Sequence, residues 1–460
     1  MYILGATGTG KSTMLLSMIN SDIKNGKGLS VVDPHGDLIE QILQIIPEER
    51  IKDVVYFNPD DIAYPVGINL LELTPNLPPE DALREREFIT ESVISLFHKI
   101  YSEKYSGPRM EYILRNTIHT AFTIPNATLF TVYKLLINTK FRKSVVRNIK
   151  DENLKDFWKY EFAKAGDYQK VKMISPITNK IGRFLFSPSA KRILEQEKST
   201  VDFDEVINEG KILLCNVSKG KIGEDNSELF GVVIMAKLQL AALKRARLPM
   251  EQRKDFYMYV DEFQNFATQA FAQILSEARK YRLGAILAHQ TTSQLEDSSL
   301  VHVTLANTGT VVCFRTANPE DERLILPQFR PYIEQGEIAS LPSYRFYMRL
   351  GALNPEEPFS GITVPVDTKD NPQRAEEVIE SSRKKFAIEY VEEANDGRVS
   401  QLPTNDSLQK AKKQNSHNRF KSTRALPWSC KMVYNIQNDV QTTKQLDTRI
   451  FVWTRGSNYY

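Results

Sequence analysis

Long apolar runs are missing from this 460-residue sequence. No stretch approaches the roughly 20 residues that a membrane-crossing helix requires, and nothing at Met1 resembles a secretory leader. The chain as given is therefore expected to span no membrane. Cysteine is scarce as well. Cys215, Cys313 and Cys430 are odd in number, widely scattered and without any C-x-x-C pair, which argues against a disulfide framework or a zinc site and for a reducing cytoplasm. The six His residues form no ligand-spaced pair, and no internal repeat is evident.

A strong charge bias is also lacking, since the formal net charge is only +3. Even that excess is local. From Gln401 to Tyr460 there are 10 Lys/Arg against 3 Asp/Glu, which leaves the remainder with 50 against 54. A nucleic-acid channel in the folded part would have to come from clustering in space, which a linear count does not reveal. Apolar and charged shares of 41% and 25% are those of an ordinary globular protein, and the length predicts two to three domains.

What is present starts four residues after Met1. Gly5-Ala6-Thr7-Gly8-Thr9-Gly10-Lys11-Ser12, followed by Thr13, fits the phosphate-binding loop G-x-x-x-x-G-K-[ST] in full. The glycines let backbone N–H groups turn toward phosphates, Lys11 reaches the β- and γ-phosphates, and the Ser12 hydroxyl ligates Mg²⁺. Met1 to Leu4 and Thr13 to Ile19 supply the buried strand and the helix that such a loop joins. The apolar stub before the loop is short for a central strand, so further sequence upstream is expected.

Apolar runs at Lys27 to Asp33 and Val54 to Phe57 predict two more strands. Strand and helix alternating in this way open a parallel α/β sheet. From residue 79 to 203 the pattern becomes helical, as in Arg84 to Tyr101, Arg109 to Thr123 and Thr131 to Leu136, which predicts an inserted all-helical domain. Strand patterns return at Lys211 to Val217, Phe256 to Val260, Gly284 to Ala288 and Thr310 to Phe314. The expected architecture is an α/β P-loop NTPase core with a mainly parallel central sheet, split into 1–78 and 204–370 by the helical insertion. A helical segment over 371–395 and a polar, basic, disordered tail over 396–460 complete it.

Hydrolysis needs a carboxylate to orient the metal and a group to position water. Asp261-Glu262, closing the run Asp255 to Val260, supplies both, with Asp261 on the hydrated Mg²⁺ and Glu262 on the attacking water. A strand that merely ends in an acidic turn is common, yet its pairing with an intact phosphate loop favours the catalytic reading. About 250 residues separate Lys11 from Asp261, which argues against a compact small-molecule kinase. Gln290, at the carboxyl end of the next strand, either senses the γ-phosphate or caps the following turn. Arg279, just before that strand, either completes a neighbouring subunit's site as an arginine finger or is a solvated helix-end cation. Arg315 is a second candidate on the same grounds. Asp33-Pro34-His35-Gly36-Asp37 reads as a fixed turn, with Asp33 near the metal and Asp37 capping a helix that begins at Leu38.

Taken together, these segments resemble the type IV secretion coupling ATPases of conjugation, the TraD/TraG kind, within the HerA/FtsK group of motors. The resemblance is carried by Gly5 to Ser12, Asp33 to Asp37, Gly107 to Asn116, Asn216 to Gly220, Asp261 to Phe266, Ser276 to Tyr281 and Ala288 to Gln290. It covers about Tyr2 to Val366. What it implies is a RecA-like fold for the P-loop NTPase core and an ATP- and Mg²⁺-dependent DNA translocase that feeds DNA or a relaxase–DNA complex into a secretion channel. It further implies a hexameric ring with nucleotide at subunit interfaces, Arg279 as the trans-acting finger and Gln290 as the sensor. The place implied is the cytoplasm, at the inner face of the cell membrane through an N-terminal anchor. Two other readings stay open: an ATP-dependent receptor that recruits protein substrates, and a HerA/FtsK-like translocase unrelated to secretion.

Overall fold

The computed structural model describes residues 1–100, 107–268, 271, 275–294, 298–351, 356–367 and 371–390. The tail expected over 396–460 lies outside the described residues.

Nine strands form one sheet: β1 Tyr2–Leu4, β2 Gly28–Asp33, β3 Val54–Phe57, β4 Ile212–Asn216, β5 Phe256–Val260, β6 Leu283–His289, β7 Val311–Phe314, β8 Arg345–Arg349 and β9 Phe359–Ile362. Their order is β3-β4-β2-β5-β6-β1-β7-β8-β9. The strands from β3 to β7 pair in parallel, whereas β8 and β9 add on antiparallel. The parallel strands are short apolar runs because both of their faces are covered. Arg345-Phe346-Tyr347-Met348-Arg349 alternates instead, with its Phe and Met buried and its flanking Arg residues exposed. No continuous apolar run marks β8 and β9, and a reading that follows such runs passes over them.

Alternation along β1 divides the core between the two faces. Tyr2 and Leu4 join one apolar cluster, and Ile3 joins the other. The Ile3 face is covered by α1 (Lys11–Lys24), α2 (Asp37–Ile45) and the late helix Pro372–Phe386, whose Val378 is fully buried. That late helix falls within the helical segment expected over 371–395.

Between β3 and β4 every regular element among the described residues is helical: α3 Pro79–Ile100, α4 Pro108–Ala121, α5 Leu129–Ile137, α6 Thr139–Asn148, α7 Glu152–Asp156, α8 Asp167–Phe186, α9 Pro188–Leu194 and α10 Phe203–Glu209. Their core runs on into the Tyr2 face of the sheet through α12 (Glu224–Lys244), which follows the short α11 (Lys219–Ile222). Thirteen residues of α12 are buried, so it shows no amphipathic stripe, as expected of a helix surrounded on all sides. Gly231 on α12 is required by packing, because a Cβ there would stand 2.1 Å from the Phe266 ring. Among the described residues no helix is long and apolar enough to cross a membrane.

Candidate active site

All seven parallel strands point their carboxyl ends the same way, and that edge is where ligands bind in open α/β sheets. β1 ends there in the phosphate loop. Gly8 (φ 73°) and Gly10 (φ 111°) adopt left-handed conformations that curl it, and nothing lies within 4 Å of a Cβ built on Gly8, so the cradle is open at that point. Gly10 passes closer to its neighbours. A Cβ there would meet the Tyr344 backbone at 3.1 Å.

The loop is held on several sides. Gly5 and Ala6 donate their N–H groups to the carbonyls of His289 (3.2 Å) and Arg315 (2.9 Å), and Tyr344 donates its N–H to the Thr9 carbonyl (2.7 Å). The Thr9 hydroxyl bonds to the Ala6 carbonyl at 2.7 Å. Lys11 is buried at the start of α1 and turns its ammonium onto the carbonyls of Gly5 (2.6 Å) and Ala6 (3.1 Å). Burial lowers its pKa, while Glu262 and Asp261 oppose the shift. A buried cation hydrogen-bonded to neutral carbonyls fits an anionic guest.

Two strands away, β5 ends at Val260 and delivers Asp261 and Glu262. With β6 between them, strand spacing puts the ends of β5 and β1 about 10 Å apart. Asp261 is buried, and its pKa is pushed up to about 6, first by burial and then by the nearby Asp33 and Glu262. One Oδ1 contact is built in, from the Glu262 N–H at 3.0 Å. A buried carboxylate so short of positive charge fits a divalent cation. Among the described residues no group of three or more His, Cys, Asp or Glu side chains could hold a metal by itself. Ser12, the second expected ligand, is exposed at the start of α1.

Gln290 follows β6, which lies directly between β1 and β5. Its side-chain amide contacts the Thr7 hydroxyl in the phosphate loop. The loop beyond it is pinned by buried Asp321, whose Oδ1 accepts the Thr292 N–H (2.8 Å) and hydroxyl (2.5 Å). His289 is wholly buried and its Nδ1 pairs with the Tyr2 hydroxyl at 2.8 Å. Burial takes its pKa down to about 4, so the ring is neutral.

The acidic turn after β2 is assembled differently from the expectation. Helix α2 begins at Asp37 with Gly36 (φ 94°) as its N-cap residue, and Asp37 does not cap it. Asp33 does so from the strand end. Its Oδ1 accepts the His35 N–H (2.8 Å), and its Oδ2 accepts those of Leu38 (3.0 Å) and Ile39 (3.2 Å). Two helix-end amides and the His35 N–H thus hold this carboxylate in the turn. His35 is exposed. The fold also joins two separate motifs here, because Val217 and Lys219 donate their N–H groups to the carbonyls of Asp33 (3.0 Å) and Pro34 (2.9 Å).

Arg279 is not brought to this edge. It sits exposed in the 3₁₀ turn Ala278–Tyr281, before β6 begins, and so at the amino ends of the strands. The length of β6 separates it from Gln290, about 20 Å at strand rise. The cleft it lines, about 850 Å³ and shared with Asp255 and Tyr257, lies at that opposite edge, away from the phosphate loop. Arg315 stands at the carboxyl end of β7 beside its own chain's loop. Two contacts on the site were not anticipated from the sequence. Gln264 donates its side-chain amide to the Glu262 carboxylate, and Tyr344 grips the loop at Thr9. Gln264 lies within the Asp261 to Phe266 motif, so proximity was its only available signal; Tyr344 offered none.

The fold and this arrangement define a P-loop NTPase core. Residues 1–237 match the family described as the central domain of the helicase HerA, and the chain belongs to that family. Among solved structures, it is similar to the plasmid coupling protein TrwB in complex with a non-hydrolysable GTP analogue, at 18% identity and a TM-score of 0.58, over 81% of this chain and 87% of that one. TrwB in complex with ADP and Mg²⁺ gives the same values. VirB4 of Thermoanaerobacter pseudethanolicus follows at 12% identity and a TM-score of 0.54, over 80% of this chain and 89% of that one. At these identities the likeness is one of fold. No curated protein matches this chain in sequence.

Proposed function

We propose that this chain is an ATP-hydrolysing motor that drives DNA, or a protein–DNA complex, into a type IV secretion or conjugation channel. The observation that carries the reading is the meeting, on three strands of one sheet edge, of the phosphate loop, Gln290 and Asp261-Glu262. It is supported by the fold shared with TrwB, a plasmid coupling protein solved with nucleotide analogues.

In this reading the curled loop from Gly5 to Thr13 receives the phosphates through its amides, and Lys11 exchanges its carbonyl partners for β- and γ-phosphate oxygens. Mg²⁺, held through Ser12 and Asp261, would neutralise charge on those oxygens. Glu262 draws a proton from the attacking water as its oxygen bonds to the γ-phosphorus and the bond to the bridging oxygen breaks. Gln290, touching Thr7, registers whether the γ-phosphate is present. Arg279 cannot serve its own site across the length of β6, so it would act on a neighbour's nucleotide in a homo-hexameric ring. DNA and a relaxase or other channel components are the proposed partners, at the inner face of the membrane. The helices between β3 and β4 are the proposed substrate-selecting domain.

The test is turnover by the full-length protein with and without DNA. Lys11→Ala should abolish nucleotide binding, and Glu262→Gln should leave ATP bound and uncleaved, whereas the wild type should accelerate on DNA. Turnover retained in Glu262→Gln removes the assigned base. Turnover indifferent to DNA replaces the motor reading with that of a receptor for protein substrates.

A further inference from the structure

Glu262 occupies the left-handed region (φ 46°, ψ 51°), where a non-glycine residue stays only if its surroundings hold it. Asp261 Oδ1 accepts its N–H at 3.0 Å, and one further side chain holds its carboxylate. Gln264 is buried within the 3₁₀ turn Phe263–Asn265 and aims its amide at the Glu262 carboxylate. The turn itself is clamped from two elements. Lys99, one residue from the end of α3, donates its Nζ to the Gln264 carbonyl at 2.9 Å, and Lys219 donates to Asn265 Oδ1 at 2.9 Å. Behind it, Phe263 packs on Phe271, and Phe266 fills the space left by Gly231.

An unbroken path of hydrogen bonds therefore leads from the helical region between β3 and β4 to the carboxylate beside Lys11. We propose that Gln264 is the positioning residue of Glu262, and that Lys99 sets Gln264 from α3, so that the placement of the helical region governs the rate of hydrolysis. This rests on Glu262 being the water-activating base. In this role Gln264 acts through Glu262, whose carboxylate its side-chain amide contacts. Its effect is confined to where the Glu262 carboxylate stands when water attacks, a step in which a displacement of about 1 Å is costly. Because Lys99 acts on the backbone of Gln264, the two residues work in series.

Steady-state hydrolysis and binding of a fluorescent ATP analogue to the full chain test this. Gln264→Leu should lower kcat about tenfold, with KM for ATP and analogue affinity within about twofold of wild type, a fraction of the 10²–10⁴ that a positioned base supplies. Lys99→Met should show the same pattern more weakly, and Lys99→Arg should restore the rate. The double variant should be no slower than Gln264→Leu alone, the sign of residues acting as one unit. If Gln264→Leu does not fold, Lys99→Met and Lys99→Arg decide. An unchanged kcat in Lys99→Met or Gln264→Leu, beside an inactive Glu262→Gln, overturns the positioning role and leaves the base assignment standing. So does a loss of analogue affinity that parallels the loss of kcat. Turnover retained in Glu262→Gln overturns both.

Discussion

Asp33 and Asp261 end adjacent parallel strands, and the Asp261 N–H bonds to the carbonyl of Val32, the residue just before Asp33, at 3.0 Å. The two buried carboxylates have opposite surroundings. Asp33 takes three backbone N–H groups, while Asp261 takes the Glu262 N–H at 3.0 Å and lies near two like charges. One closes a turn, and the other is left short of a cation.

Because Asp261 is raised to about 6 from an ordinary 3.8, folding favours its neutral form. Its contribution to stability is therefore full below about pH 4 and is lost as pH rises through 6, a swing of about 2–3 kcal/mol. Asp261→Asn should melt higher than wild type at pH 7.5 and equal to it near pH 4, while hydrolysing no ATP. Adding ATP and Mg²⁺ should raise the melting temperature of the wild type more at pH 7.5 than at pH 5, and chelating the Mg²⁺ should reverse the gain.

Gly36→Ala should destabilise the fold. The position has φ 94°, and a Cβ would stand 2.9 Å from Asn216 Oδ1. Left-handed strain plus that contact is expected to cost about 1–3 kcal/mol, read as a lower urea midpoint at unchanged slope.

For Arg279 the proposed role in trans predicts complementation between chains. Arg279→Ala should bind ATP normally and turn over slowly, and Lys11→Ala should be inactive. Mixing the two should recover measurable hydrolysis, since some interfaces then pair an intact loop with an intact finger. Mixtures no faster than the sum of their parts would exclude a role in trans.

Among the described residues, Arg245 is the largest fully buried side chain. Its guanidinium donates to Asn208 Oδ1 (3.0 Å) and to the carbonyls of Ile207, Lys254 (2.8 Å) and Tyr281 (2.8 Å). It thus ties α10 and the approach to β5 to the turn that carries Arg279. Burial lowers its pKa to about 10, so it stays charged at neutral pH. Arg245→Met strands those carbonyls, and chemical denaturation should register a loss of about 3 kcal/mol or more.

The phosphate loop and Asp261-Glu262 were legible because phosphate chemistry fixes residue types at fixed spacing, and the parallel strands because burial on both faces makes them apolar runs. The helices between β3 and β4 were legible by their period. Contacts across the fold were not. The hand-over of capping from Asp37 to Asp33 depends on the path of the turn, and Tyr344 reaches Thr9 only because β8 and β9 add to the sheet beyond β7. The distance of Arg279 from its own site was available from strand polarity, since a residue that precedes a parallel strand stands at the edge opposite the phosphate loop.

The central place of β1 has a consequence during synthesis. Its neighbours are β6 and β7, so Tyr2 pairs with Leu287 and Val311. A ribosome adding about 5–20 residues per second takes roughly 15–60 seconds to supply those partners after β1 has been made. Until then β1 has neither of its sheet neighbours, and for the first part of that interval β2 and β3 also lack the β4 that joins them. The strand that leads into the nucleotide pocket is thus made well before either of the strands that flank it.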